Sequence, residues 1–508
     1  MIQQQHHSPT LSPMHRLLDH LRKNKLLILS LLCGIIFVIP SLLFPTEVFE
    51  WTNSLTLKLL TIFDGFYLIL GLFFFLFCIG IAVSPYGKIK LGYSDDEPEY
   101  SVWSWIAMLY STGMGSGLII RAVQEPVAYY QNPPIEGMSG EAAQTLALQY
   151  AYFHWGFSAW AFYAVIGLIM AWFHYKRHQK ALISDTLKTI LPSPKLAIPI
   201  DLLAVIATIF GVIASVGFGS GMIVGGTNHL LSQEFPPHYA IWAILIVSVL
   251  SCMSAISGLD KGIKLISNIN IGGTLLLLAF FFFQNNFFHL VQQMGNSLWA
   301  YGKEFFEMSL AIGKHGHNPK FTADWTIFYW AFWLAWAPFT GMFIARISRG
   351  RTIRSFIGGV LIIPSFGTFL WFSVFGTIAF EIVDTLPNGY EGQFDNLFTA
   401  TFQFFELYPM SNLLNIVTIC LMFTYLITSM DSAIFVISMM TDKGKSDPTK
   451  FYKVFWGIML PLIACTAVWL GGDNFLRSTS NLLIITALPF SFVSLVMVYA
   501  FLKDLRKP

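Results

Sequence analysis

The chain has 508 residues, 55% of them hydrophobic and 16% aromatic, with only 11% charged and a formal net charge of +2. A soluble domain carries about 25% charged residues, so a water-covered globular fold is excluded. The medium is lipid, where only helices or closed barrels satisfy the backbone. The apolar runs are long and unalternating, which selects helices over barrel strands, and the near-balanced charge offers nothing to a nucleic acid.

The stretch to Lys25 (residues 1–25) is polar and carries His6, His7, His15 and His20. It reads either as a metal-binding tract or as a disordered cytoplasmic tail. No small-residue cleavage site follows the first apolar run, so no removable signal peptide is expected. Twelve runs near the ~20 residues needed to cross hydrocarbon follow. Leu26–Phe44 and Ile62–Ser84 form a first pair within residues 26–100. Trp103–Ala122, Ala151–Trp172, Ile200–Val224, Ala240–Ile256 and Leu265–Phe283 form a set of five within 101–283. Residues 284–324 are the longest outer connection, and their Phe, Leu and Met content predicts a helix along the surface. Trp325–Ile344, Phe356–Phe380, Leu413–Met440, Val454–Leu470 and Leu482–Leu502 form a second set of five within 325–502, and a short cytoplasmic tail, 503–508, closes the chain.

Basic residues gather at alternate connections: Arg16, Arg22, Lys23 and Lys25, then Lys88 and Lys90, then Lys176, Arg177 and Lys180, then Lys261 and Lys264. Arg346, Arg349, Arg351 and Arg354 continue the series, followed by Lys443, Lys445 and Lys450, and by Lys503, Arg506 and Lys507. The other connections carry Glu47, Glu50, Glu125, Glu136, Glu141, Glu234, Glu381, Asp384, Glu391 and Asp395. The positive-inside rule then puts both termini in the cytoplasm of a multi-pass inner-membrane protein. Cys33, Cys78, Cys252, Cys420 and Cys465 lie inside apolar runs at no metal-ligand spacing and read as inert core thiols.

Two spans carry anomalies at midspan. The third holds Gly113-Met114-Gly115-Ser116-Gly117. Glycines cost about 1 kcal/mol each in a helix relative to alanine, and an unwound segment in lipid must line a protein cavity. Close helix packing of small residues is the other reading. The eighth holds Trp336-Ala337-Pro338-Phe339-Thr340-Gly341, where proline removes a backbone bond. The third and eighth spans each open a set of five, so matching breaks predict an inverted-repeat transporter with its site between them.

Aromatic residues cluster at the same depth. The fourth span carries Trp155, Trp160 and Tyr163, and the eighth carries Trp330, Trp333 and Trp336 with Phe332 and Phe339. An interfacial belt accounts for Trp51, Trp103 and Trp172, but not for Trp333 and Trp336 beside Pro338, which share one helical face. A cage of ring faces suits a cation that cannot donate hydrogen bonds, such as trimethylammonium, at about 2 kcal/mol per desolvated ring.

These residues resemble the betaine/choline/carnitine transporter family. The likeness covers most of the chain: Gly87–Gly92 with Asp95-Asp96-Glu97, Gly113–Gly117, Glu125-Pro126, Trp155, Trp160 and Tyr163, Ser257-Gly258 through Lys261-Gly262, and Ser267-Asn268-Ile269-Asn270. It continues through Trp330–Trp333, Ala345–Arg351, Thr428-Ser429-Met430-Asp431-Ser432 and Ala487–Phe490. The resemblance implies an all-α membrane fold of twelve helices, a LeuT-like inverted five-helix repeat preceded by two extra helices, and a homotrimer. It implies an aromatic box of Trp155, Trp160, Tyr163 and Trp333, with Trp336 on the substrate path and the Gly113–Gly117 backbone, through Met114, Gly115 and Gly117, against a substrate carboxylate. It also implies a sodium site of Ser111, Met114 and Tyr425 carbonyls with Thr428 and Ser429 hydroxyls, a set of hard oxygen donors. Without the family, those two hydroxyls equally read as bonded back to their own helix.

Several positions depart from the pattern. A second sodium site in such proteins uses two threonines one turn apart; here Thr208 is followed by Val212, so a two-sodium stoichiometry is not expected. Arg121 lies four residues past Gly117 where an uncharged residue is expected, and reads either as a coupling or carboxylate-holding group or as an ion-pair partner of Glu125. Asp431 reads as a gate or proton site, or as a partner of neighbouring helix ends. Some choline carriers have an acidic residue where Gly117 stands, which leans the chain toward betaine-type zwitterions. The tail after Leu502 lacks the long basic helix of osmosensing members, so osmosensing through it is not expected. With no catalytic triad, metal cluster or nucleotide loop, the chain reads as no enzyme and needs no cofactor beyond a coupling Na+. Its expected activity is uptake of a small zwitterionic or cationic quaternary-ammonium solute by alternating access, with sodium-independent exchange of such solutes as the alternative.

Overall fold

Lipid leaves a backbone no outside hydrogen-bond partner, and this chain answers with helices throughout. The computed structural model describes residues 24–258, 262–311, 318–387 and 389–506. The histidine tract and the basic residues Arg16, Arg22, Lys23, Lys261 and Lys507 lie outside that range. Among the described residues there is no strand, only one antiparallel bridge between Lys90 and Thr352.

Eleven helical segments of the described chain are long and apolar enough to cross a membrane. The expected span that is missing from this set is the third, which is two short helices, α4 (Val102–Gly113) and α5 (Gly115–Arg121). Before it come α1 (Lys25–Leu43), α2 (Pro45–Ile62) and α3 (Asp64–Val83). α2 matches none of the twelve expected runs, because its polar residues hide the helical period. It starts on Pro45 at the first turn, where the missing N–H is no loss, and buries Thr52, Thr56 and Leu60 on one face.

After α6 (Gln124–Gln131) the fourth span is α7 (Gly140–Trp155) and α8 (Phe157–Ala171). Then follow α9 (Pro194–Leu231), α10 (Ala240–Ser257) and α11 (Ile263–Gln284). The helix expected in residues 284–324 is α12 (Phe287–Ser309), strongly amphipathic, with Leu290, Gln293, Ser297, Tyr301, Phe305 and Met308 turned inward. The second half holds α13 (Phe328–Arg346), α14 (Ile363–Thr385), α15 (Ser411–Thr441), α16 (Lys450–Thr466) and α17 (Gly472–Leu505).

The break expected at Pro338 is absent: α13 runs unbroken from Phe328 to Arg346. Packing explains this. α13 lies along α8 so closely that a Cβ on Gly341 would stand 3.0 Å from the Gly167 backbone nitrogen, and such neighbours hold a proline-bearing membrane helix together. Trp172 does not face lipid. It is buried, donating to Asp504 at 2.9 Å, whereas Trp51 and Trp103 are exposed as a belt requires.

The Ala345–Arg351 motif ties the two halves at the end carrying the basic connections. The Arg351 guanidinium lies 3.8 Å from the centre of the Trp105 ring and donates to the Tyr100 carbonyl at 2.8 Å. Trp105 donates to Ser348 at 2.9 Å, and Arg349 grips Asp96 through two 3.1 Å bonds, which hold that carboxyl below the usual carboxylate range. Gly350 makes the crossing possible: its φ is +81°, and a Cβ would stand 2.3 Å from the Glu97 carbonyl oxygen. Gly350→Ala is therefore expected to destabilise the protein by more than about 1 kcal/mol, read as a fall in the thermal midpoint in detergent; an unchanged midpoint would contradict the clasp.

Candidate functional site

The third span opens at one residue. α4 ends on Gly113, Met114 takes φ −146° and ψ −7°, and α5 restarts at Gly115. Alternate glycines supply room there. A Cβ on Gly113 would stand 3.0 Å from the Trp160 ring, one on Gly115 2.1 Å from Tyr425, and one on Gly117 2.9 Å from Trp155. Three aromatic rings thus lie directly on the backbone of the broken span. Both readings of the glycines hold: the helix breaks, and small residues admit close neighbours.

A second interruption, which the sequence reading missed, sits in the fourth span. Gly156 has φ −99° and ψ −131° between α7 and α8. A Cβ there would meet the Tyr152 carbonyl at 2.4 Å and the Phe369 ring at 2.5 Å. The signal was present as a lone glycine among the aromatics. The gap sets Trp155 on Gly117 and Trp160 on Gly113, one turn apart along the third span.

A cavity of about 410 Å³ opens beside this break, within the range of small-molecule sites. Trp155, Trp333, Trp336, Met114, Gly115 and Gly117 line it, as do Tyr329 and Arg121. Trp160 and Tyr163 do not. They stand behind Gly113, with Tyr163 6.1 Å from Trp333 between ring centres. Trp155 meets Trp333 at 5.1 Å and 71°, while Tyr329 stacks on Trp333 at 5.6 Å and 16°. Tyr329 was not singled out from sequence; it lies four residues before Trp333, on the same helical face.

A buried carboxylate organises these rings. Glu125 is 0% exposed and accepts from Trp155 Nε1 at 2.8 Å, from the Tyr129 hydroxyl at 2.8 Å and from the Tyr329 hydroxyl. Because Tyr129 donates to Glu125, it must accept from His154 Nδ1 at 2.8 Å, leaving His154 Nε2 to accept from Thr326 at 2.8 Å. Trp333 is fixed by the same strand of contacts, donating Nε1 to the His154 carbonyl at 2.8 Å. Arg121 pairs with Glu125 only at 3.9 Å and donates to Gln124 at 2.7 Å.

The expected sodium ligands lie between the broken span and α15. Ser429 Oγ reaches the Ser111 carbonyl at 3.4 Å, and Asn270 Nδ2 lies 3.5 Å from both Ser111 Oγ and Thr428 Oγ1. Thr428 bonds back to its own helix, donating to the Tyr425 carbonyl at 2.9 Å, and the Met114 carbonyl accepts from Leu118 at 3.1 Å. Among the described residues, Asn270 Oδ1 is buried with no partner. The expected ligands, carbonyls of Ser111, Met114 and Tyr425 with hydroxyls of Thr428 and Ser429, are all oxygens, a donor set that fits a hard cation. At the second position, Thr208 bonds to the Ala204 carbonyl at 2.7 Å and Val212 is buried. Asp431 is buried one turn beyond Thr428, faces Ser254 and Lys453, and lies outside the cavity lining.

Residues 25–508 match the model of the betaine/carnitine/choline family of transporters. The chain belongs to this family. It is 38% identical to the glycine betaine transporter OpuD of Bacillus subtilis, over 88% of this chain and 87% of that one. It is 36% identical to the ectoine/hydroxyectoine transporter of Virgibacillus pantothenticus, over 88% and 89% of the two chains. A solved Na+-coupled sialic acid symporter in a substrate-bound outward-open state shares the fold, with a TM-score of 0.51 at 12% identity over 86% of this chain and 87% of that one. The protein is a multi-pass membrane transporter and not an enzyme.

Gly115 gives the sharpest test of the ring-on-backbone packing. As an ordinary helix glycine, Gly115→Ala would stabilise by about 1 kcal/mol. The Tyr425 contact predicts the opposite sign, a lower thermal midpoint, with loss of solute binding.

Proposed function

We propose that this chain takes up a betaine-type quaternary-ammonium solute, glycine betaine or a close relative, by alternating access coupled to Na+. The supporting observation is the cavity itself: Trp155, Trp333, Trp336 and Tyr329 face it beside the broken third span. Ring faces attract a methylated ammonium without requiring a carboxylate in the membrane, and Trp155 and Tyr329 are pinned by Glu125 and Trp333 by the His154 carbonyl before any solute arrives. The name of the glycine betaine transporter OpuD, to which the chain is 38% identical, points the same way.

The cavity runs toward Asn53 in α2, Arg477 in α17 and Leu397 in the connection before α15, away from the basic connections, which under the positive-inside rule gives an outward-facing form. The two sets of five spans would then be the inverted repeats that rock about the site. Trp160 and Tyr163, behind Gly113, would complete the box when the outer path closes. One Na+ would bind among Ser111, Thr428, Ser429 and Asn270, holding the broken span to α15, so that solute and ion favour the same closed form. Val212 removes the oxygen a second ion would need.

Equilibrium binding of glycine betaine to the purified protein, with and without Na+, tests this. Affinity is expected to fall without Na+, and Trp333→Leu is expected to weaken binding by more than about tenfold with folding retained. Unchanged affinity in the variant would contradict the pocket; indifference to Na+ would favour exchange.

A further inference from the structure

We infer that Arg121 makes this a carboxylate-selecting cavity, one that admits zwitterions and turns away a net cation of the same head group, such as choline; this rests on the proposed quaternary-ammonium site. The basis is the charge of the lining. Among the described residues, the cavity wall carries two guanidinium groups, Arg121 and Arg477, and no carboxylate. The carboxylate one turn from Arg121, Glu125, is 0% exposed. It is shielded behind Trp155 and Tyr329, whose donors it already accepts together with that of Tyr129.

Arg121 is poorly neutralised as a result. Its Nε stands 3.9 Å from Glu125, its Nη1 is spent on the neutral amide of Gln124 at 2.7 Å, and its side chain keeps 26% exposure. A guanidinium carries five N–H donors in a planar fork, so most remain for a ligand. The Trp325 ring, 5.8 Å away, supports the group from one side and leaves the fork free to meet a carboxylate. Its position suits the task. Arg121 is four residues past Gly117, about 6 Å or one turn along α5, and Gly117 carries the Trp155 ring. A solute with its methylated nitrogen among the indoles can therefore direct its anionic end toward the guanidinium. A pure cation meets the same rings but also a guanidinium only loosely paired with Glu125, at 3.9 Å, a built-in repulsive element of the kind that gives specificity.

The test compares three probes with one head group on the purified full-length protein: glycine betaine, its methyl ester, which keeps the shape and loses the charge, and choline. The wild type is expected to favour glycine betaine over both others by more than about tenfold. Arg121→Gln should weaken glycine betaine by about tenfold or more while leaving the ester and choline unchanged or tighter. Arg121→Lys should recover part of the preference, as a point charge without the fork. Equal loss for all three probes in Arg121→Gln, or a wild type that binds the ester as tightly as the acid, would overturn the inference; the second needs no variant. A wild type that binds none of the three would overturn the quaternary-ammonium reading itself.

Discussion

Rings pressed onto a side-chain-free backbone are the constraint from which the rest of the site follows. Trp160, Tyr425 and Trp155 occupy the places where Cβ atoms would project from Gly113, Gly115 and Gly117. The contacts bring α8, α15 and the end of α7 to one short stretch. They also explain why a segment of poor helix formers persists in lipid: what it forgoes in propensity is returned as contact between rigid, flat surfaces. The opening at Met114 and the cavity beside it are the geometric remainder of that packing.

Charge is distributed to match. Glu125 spends its capacity on holding rings in place, accepting from an indole and two phenols, so it offers the cavity shape rather than charge. Arg121, one turn away, is left facing the cavity. On the proposed reading, the methylated nitrogen is held by polarisable faces and the carboxylate by a guanidinium, with the Na+ ligands between the broken helix and α15. One interrupted segment then touches both cargo species, the simplest physical basis for coupling them.

Much of this was legible in the sequence because lipid imposes strong rules. Length and hydropathy located the spans, and alternate glycines gave the break at Met114. The aromatic residues at the site followed from indoles placed too deep for an interface. What failed did so where tertiary packing overrides a local signal. Pro338 reads as a break, yet the close approach of Gly341 to Gly167 keeps α13 whole. Gly156 reads as one more small residue, yet it interrupts the fourth span. α2 was passed over because its burial follows a sparse i, i+4 face of Thr52, Thr56 and Leu60 rather than overall hydropathy. Asn270 lay in a recognised motif, but only the fold brings it to Ser111 and Thr428. Tyr329 and Glu125 are similar: their joint hold on the rings depends on residues 204 apart in the chain.

The central claim is that the broken third span and the rings lying on it enclose the solute. A cryo-electron microscopy map of the full chain with glycine betaine and Na+ bound tests it directly. Solute density between Trp155 and Trp333, beside an interrupted helix at Met114, is the predicted result. A continuous helix from Val102 to Arg121, or solute lodged away from those indoles, would contradict the account.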